Sequence, residues 1–241
     1  MIHAELATWA GALEERPPLD ILAFAAERFA PRLGFATGFG REGCVLVDLV
    51  ARHRLPVDVF TLDTGVLFPE THLLWKRLER RYGITIRAVR PAFTLAEADA
   101  LDRLWESDPD RCCEIRKVTP LRAELSRFDA WVTAIRRDQT RERAGARAVE
   151  WDGTFGLVKV NPLIRWSAAD VDDYVARHGV PVNPLHARGY PSIGCQPCTT
   201  PAAPGEDPRA GRWRGREKKE CGLHARASGP VPAASTPAPE E

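Results

Sequence analysis

The chain lacks a bulk excess of charge of either sign. Its 34 lysines and arginines nearly cancel its 33 aspartates and glutamates, leaving a formal net charge of +1. A nucleic-acid or membrane-surface partner that binds through overall charge is therefore not indicated. No apolar run is long enough to span a bilayer. The opening residues, Met1-Ile2-His3-Ala4-Glu5, have neither the basic stretch nor the apolar core of an export signal. There is no internal repeat. These absences make a cytoplasmic location the expectation. Six cysteines in a reducing compartment are more often ligands or catalysts than structural disulfides. What is present is 241 residues, enough for one α/β domain with a full core.

Periodicity supplies the elements. Leu6, Trp9 and Leu13 keep helical spacing until Pro17-Pro18, and Leu19–Phe29 repeats the pattern up to Pro31. Residues 33–39 read as a strand ending in the glycine-rich turn Thr37-Gly38-Phe39-Gly40-Arg41-Glu42-Gly43, with an amphipathic helix after it. A strand, a glycine turn and a helix N-terminus form a ready anion site. The letters also match G-x-G-x-x-G at Gly38, Gly40 and Gly43, with Asp63 where a dinucleotide fold puts its ribose-binding acid. A nicotinamide- or flavin-dependent oxidoreductase is thus one rival reading. Cys44 points into the helix as a small core residue.

Residues 57–62 are apolar without alternation, as expected of a strand buried on both faces of a parallel sheet. Asp63 and Thr64 follow it and should line the same crevice as the first glycine turn; the plainer alternative is that Asp63 caps the next helix. Further strands are expected at 85–89, 130–135 and 158–164, the last at the sheet edge. Helices are expected from Pro69 to near Gly83, over 94–105, through Leu125, and from Ser167 to His178, where Ser167 and Asp170 form a near capping box. Strands alternating with helices predict a doubly wound, mostly parallel α/β sheet.

Two cysteine pairs stand far apart in the chain, Cys112-Cys113 and Cys195-x-x-Cys198. Vicinal cysteines rarely pair with each other. Four thiolates suit Zn²⁺ or an iron–sulfur cluster. Base rates favour zinc. The vicinal pair favours [4Fe–4S], because neighbouring side chains on a helix diverge and reach two corners better than one point. Lys117 falls four residues past Cys113 on the same helical face. After residues 130–135 come Arg136, Arg137, Arg141 and Arg143, whose planar forks suit phosphate or sulfate oxygens. Residues 200–220, rich in Pro, Gly and Arg, read as a mobile segment. They lead to Lys218-Lys219-Glu220-Cys221-Gly222-Leu223-His224. Positive charge favours thiolate over thiol, so Cys221 is the expected nucleophile. Residues 225–241 read as a disordered tail. The expected organisation is 1–199 as the nucleotide- and cluster-binding domain, 200–224 as the mobile catalytic segment, and the tail.

Taken together, the chain resembles the assimilatory sulfonucleotide reductases, specifically the iron–sulfur adenylyl-sulfate (APS) reductases. The resemblance rests on Thr37-Gly38-Phe39-Gly40, Leu62-Asp63-Thr64-Gly65, Cys112-Cys113-x-x-Arg116-Lys117, Arg137-Asp138-Gln139-Thr140-x-x-Arg143, Gly189-Tyr190-Pro191-Ser192-Ile193-Gly194-Cys195-x-x-Cys198, Arg209-Ala210-Gly211-Arg212-Trp213 and Glu220-Cys221-Gly222-Leu223-His224. It runs from about residue 33 to 224. It implies an adenine-nucleotide α-hydrolase-like fold and a [4Fe–4S] cluster on Cys112, Cys113, Cys195 and Cys198. It implies Cys221 as the nucleophile, and thioredoxin, or a glutaredoxin, as reductant. It implies substrate contacts from Thr37, Gly38, Phe39, Gly40, Thr64, Lys117, Arg137, Arg143, Arg209, Arg212 and His224. Members of the family form homo-oligomers. This chain departs from the usual pattern in having Thr37-Gly38 in place of serines and Arg-Gly-Arg after Trp213. The alternatives are the related 3′-phosphoadenylyl-sulfate (PAPS) reductase and a zinc-stabilised nucleotide-binding or sulfur-carrier module.

Overall fold

The computed structural model describes residues 2–93, 103–218 and 220–223. Six strands form one sheet in the order β3-β2-β1-β4-β6-β5. They are β1 (Leu33–Ala36), β2 (Asp58–Leu62), β3 (Arg87–Val89), β4 (Ala130–Val132), β5 (Val149–Asp152) and β6 (Leu157–Val160). All neighbours pair in parallel except β5, which runs antiparallel to β6. The doubly wound, mostly parallel reading holds.

One expectation is corrected. The strand near residue 158 is not at the edge: it lies between β4 and β5. The edge belongs to β5, which the sequence reading did not include. Val149-Glu150-Trp151-Asp152 is too short and too polar to stand out by pattern. It becomes a strand because it can fold back on β6 as a hairpin, Val149 opposite Val160 and Asp152 opposite Leu157.

Apolar periodicity explains the helices. The first two, α1 (Ile2–Leu13) and α2 (Pro18–Phe29), precede the sheet. Ile21, Leu22, Ala25 and Phe29 form the buried stripe of α2, and Pro18 sits in its first turn, where a missing N–H costs nothing. α3 (Arg41–Arg52) buries Cys44 to Val50. α4 (Pro69–Tyr82) buries Thr71, Leu74 and Leu78. A short α5 (Leu104–Ser107) follows; the rest of the helix expected over 94–105 lies outside the described residues. α6 (Pro109–Cys113) and α7 (Thr119–Leu125) are joined by Glu114–Val118, wound as a wider π-turn. Such bulges are frequent at functional sites. α8 (Ala168–His178) starts at the expected Ser167–Asp170 capping box.

Two apolar layers sandwich the sheet. The larger contains Leu33, Phe35, Val45, Leu46 and Val160. The smaller holds Phe60, Leu121, Leu125, Phe128, Trp131 and Leu157. The chain winds outward from β1 through β2 to β3, then returns to β4 on the far side of β1. The winding therefore reverses between β1 and β4, and ligands of such sheets sit at the carboxyl ends of the strands at that crevice.

Candidate active site

The loop leaving β1 is built around Thr37. Its backbone N–H donates to Phe60 O on β2 (2.9 Å), and its Oγ1 accepts from the Phe39 N–H (3.2 Å). Phe39 takes a left-handed backbone (φ 59°) and is buried against Trp75. Gly43, in the first turn of α3, must be a glycine: a Cβ there would meet Thr37 Oγ1 at 2.7 Å. Thr37, Gly38 and Phe39 line a cavity of about 190 Å³ in the crevice, together with Thr64. Gly40 caps α3 beside it. Asp63, expected in the same crevice, turns away instead. Its carboxylate accepts from the Gly65 N–H (3.3 Å) and pairs with Arg90 (3.0 Å), and it does not cap α4, whose N-cap is Phe68.

Cys221, Leu223, Lys117, Cys195 and Arg212 complete the wall of this cavity. Its apolar side is formed by Leu62, Leu121 and Trp131, to which the sequence reading gave places on strands and a helix but no site role. Gly194 lacks a side chain so that the Arg212 guanidinium can lie against the chain before Cys195.

The segment expected to be mobile is docked here. Thr199 bridges to Arg212, Thr200 N–H donates to Gly211 O (2.8 Å), and Trp213 N–H donates to Cys198 O (3.0 Å). Beyond this loop, Arg216 donates to the Glu106 carbonyl, while Lys218 pairs with Asp110 and lies 5.4 Å over the Trp213 ring. These pins carry Cys221 into the crevice.

All four cysteines of the two pairs line a second, smaller cavity, with Arg116 and Lys117. Cys112 and Cys113 end α6, while Cys195 caps a 3₁₀ turn that ends at Cys198. Lys117 and Cys195 face both cavities. Among the described residues, no three His, Cys, Asp or Glu side chains are grouped as a site for one metal ion. The donor chemistry still fits a four-thiolate group: four free thiols, three of them buried, meet one cavity walled by cations.

Electrostatics separates the four. Burial pushes Cys113 up to about 11, against the pull of Lys117. Cys112 and Cys198 are also raised, chiefly by burial. Cys195 is buried as well, yet its thiol lies below the ordinary range. Lys117, the Thr64 hydroxyl (3.3 Å from the sulfur) and Arg212 outweigh the burial. Burial alone would lower Lys117, but the sulfurs of Cys195 and Cys221 hold it above its usual value. Arg212 is lowered by burial and by Arg209 nearby. Lys117 and Arg212 are 8% and 9% exposed, and neither pairs with a carboxylate among the described residues. Buried cations that only thiol sulfurs oppose, with no carboxylate beside them, are costly. They mark a place built for an anion.

The remaining arginines divide. Arg143 and Arg209 meet at Glu220, 3.0 and 3.1 Å from its two oxygens. Arg137 is turned outward to the Ala146 carbonyl (2.8 Å) and Glu14, and does not line the cavity. Arg136 is buried against Glu42 and Asp138. His224 and the tail 225–241 lie outside the described residues. Two contributors were not foreseen. Arg116 donates to the Thr64 carbonyl (2.8 Å), tying the π-turn to the end of β2. Glu220 bridges the two arginines.

Comparison with known proteins agrees with this geometry. Residues 32–201 match the model of the phosphoadenosine phosphosulfate reductase domain. The adenosine 5′-phosphosulfate reductase of Halalkalibacterium halodurans is 43% identical over 216 residues, covering 88% of this chain and 94% of that protein. The phosphoadenosine 5′-phosphosulfate reductase of Gloeobacter violaceus is 42% identical over 217 residues, with 88% and 90% covered. The crystal structure of a phosphoadenylyl-sulfate (PAPS) reductase from Candida auris, in a phosphate complex, superposes with a TM-score of 0.71 at 30% identity. It covers 81% of this chain and 96% of that one. The fold is therefore of the adenine-nucleotide α-hydrolase-like kind. With more than half its length matched and relatives well above 30% identity over nearly the whole chain, this protein belongs to the phosphoadenosine phosphosulfate reductase family of oxidoreductases.

Proposed function

We propose that this enzyme reduces adenylyl sulfate (APS) to sulfite and AMP in sulfate assimilation, with Cys221 as the nucleophile. The observation that carries the reading is one cavity, at the β1/β4 crevice, lined by Cys221 and by the buried, carboxylate-free Lys117 and Arg212. A nucleotide with an anhydride-linked sulfate supplies both an anion for these cations and an electrophilic sulfur for the thiolate.

The Cys221 thiolate attacks the sulfate sulfur. A sulfur–sulfur bond forms, the sulfur–oxygen bond to the phosphate breaks, and AMP leaves with the electron pair. Lys117 and Arg212 offset the charge that develops on the departing and equatorial oxygens, and such preorganised charge is commonly the largest catalytic contribution. The product is a thiosulfonate, Cys–S–SO₃⁻. A thiolate of a dithiol protein, thioredoxin or a glutaredoxin, then attacks Cys221 Sγ and expels sulfite. Its second thiol resolves the mixed disulfide, returning Cys221 as a thiol and leaving the reductant oxidised. Thr37, Gly38, Phe39 and Thr64 form the nucleotide side of the cavity, with Gly40 at the helix N-terminus beside it, while Arg143 and Arg209 hold the segment that carries Cys221; the resemblance adds His224 as a substrate contact.

Cys112, Cys113, Cys195 and Cys198 would hold a [4Fe–4S] cluster. The shared four-thiol cavity and the vicinal pair favour it over a single zinc ion. When bound, the cluster would supply charge beside the sulfate-binding cations.

A second substrate has support of its own. Relatives named for APS and for PAPS reduction stand at nearly equal identity. The test is intact-mass measurement of reduced, anaerobically purified protein mixed with APS, or with PAPS, without reductant. We expect a gain of one sulfonate with APS, absent in Cys221→Ser and released by thioredoxin. A gain with PAPS alone keeps the chemistry and changes the substrate. No adduct with either sinks the reading.

A further inference from the structure

Glu220 immediately precedes the nucleophile, and its carboxylate lies between two guanidinium groups from different parts of the fold. Arg143 ends the 3₁₀ turn Arg141–Arg143, after β4, and also donates to Gln139 Oε1 (2.5 Å), so it belongs to the body of the domain. Arg209 belongs to the loop that folds back on the Cys195–Cys198 turn. Both arginines are largely shielded, at 10% and 19% side-chain exposure, and Glu220 is shielded equally, at 19%. Burial lowers Arg143 and the Glu220 carboxylate opposes that shift. At the other end of the same short segment, Leu223 packs on the Trp131 and Leu121 layer.

We propose that Glu220 is the positioning residue for Cys221. Its bridge to Arg143 and Arg209 clamps the catalytic segment shut with the sulfur in the cavity. This rests on Cys221 being the nucleophile. The carboxylate is a tether: it works because it is covalently joined to the residue before Cys221. Its value lies in holding the sulfur in line with the substrate, which affects the chemical step more than binding. Removing it also takes away a carboxylate that competes with the substrate's own anions for this positive region, so affinity should hold or rise while the rate falls.

The experiment uses the full-length, cluster-bearing protein and two variants, Glu220→Gln and Glu220→Ala. The single-turnover rate of sulfonate transfer from APS to Cys221 is followed by mass over a range of APS concentrations. Alkylation of Cys221 by iodoacetamide is followed without substrate. We expect the transfer rate at saturating APS to fall about 10- to 100-fold, as a modest misplacement of reacting groups gives. The half-saturating APS concentration should stay the same or decrease. Cys221 alkylation should accelerate about 3-fold or more as local opening becomes easier. Glutamine matches glutamate in size, so its thermal midpoint should stay with the parent's, and added formate should not restore Glu220→Ala. An unchanged transfer rate, a loss confined to APS affinity, or full rescue by formate would overturn the tether. If the parent itself forms no adduct, the reductase reading fails, and the alkylation rates alone decide whether Glu220 holds the segment.

Discussion

At the scale of single residues, Lys117 and Arg212 set the character of the site. Both are buried beside sulfur and lack a carboxylate partner among the described residues. Lys117→Met keeps the stem and removes the charge. It should cut the rate of sulfonate transfer by about 10²- to 10³-fold while the protein stays folded, measured in single turnover with circular dichroism alongside. Cys44 makes the contrasting case. It is fully buried in the apolar core, its thiol is raised by burial, and its Sγ lies 3.7 Å from the Phe39 carbonyl. Cys44→Ala should leave transfer to Cys221 intact and cost about 1 kcal/mol of stability, read from denaturant unfolding. That the two cysteine pairs come together was legible in the sequence, because their spacing and residue type suit one shared site. Glu220 was not, since a glutamate in a charged run looks solvated until the fold brings Arg143 to it across 77 positions. Arg137 shows the reverse: it sits in a run that promises anion binding, but the fold gives its guanidinium to Glu14.

At the scale of elements, local pattern identified the strands and helices whose burial is one-sided or complete. It failed for β5, whose existence depends on a partner strand rather than on its own residues. The turn after β1 is an element whose shape depends on an absent atom. Gly43→Ala would push a methyl into Thr37 Oγ1. The substitution should cost about 1–3 kcal/mol, the usual range for overpacking, and weaken nucleotide binding, which calorimetry with AMP would show. Another junction lies on the opposite face of the sheet from α7. The buried Asp48 of α3 accepts hydrogen bonds from Tyr82 of α4 and Tyr174 of α8, both at 2.7 Å. Burial first, and then this carboxylate, raise both phenols. Asp48→Ala leaves two hydroxyls without their acceptor and should lower stability by about 2–4 kcal/mol, with the nucleotide cavity, on another face, still able to bind.

At the scale of the whole molecule, the N-terminal helices are tied to the loops around the β5 side of the sheet. Glu14, at the end of α1, pairs with Arg137 and accepts from the Ala148 N–H. Burial would raise its carboxyl, but the Arg137 bond, the Ala148 N–H and the charges of Arg137 and Arg147 hold it below the usual carboxylate range. A carboxyl depressed in the folded state stabilises fully above its unfolded value and loses that contribution as pH falls toward the folded one. Glu14→Gln should therefore cost about 1 kcal/mol at neutral pH. The cost should shrink as the pH drops below ~4, checked by parallel urea titrations. This tie was beyond the sequence, since nothing in residues 1–31 bears on chemistry. The doubly wound sheet was within it, because alternating strand and helix patterns leave few other arrangements.

The antiparallel strand β5 gives the molecule a border, and α1 packs along that strand. An uncovered sheet border offers a row of unmatched backbone groups to any passing chain. We expect the first helix, packed against that strand, to limit such pairing as well as to fill the core. Trimming residues 2–13 should leave a protein that scatters more light as it is concentrated, even where its cavity still takes nucleotide.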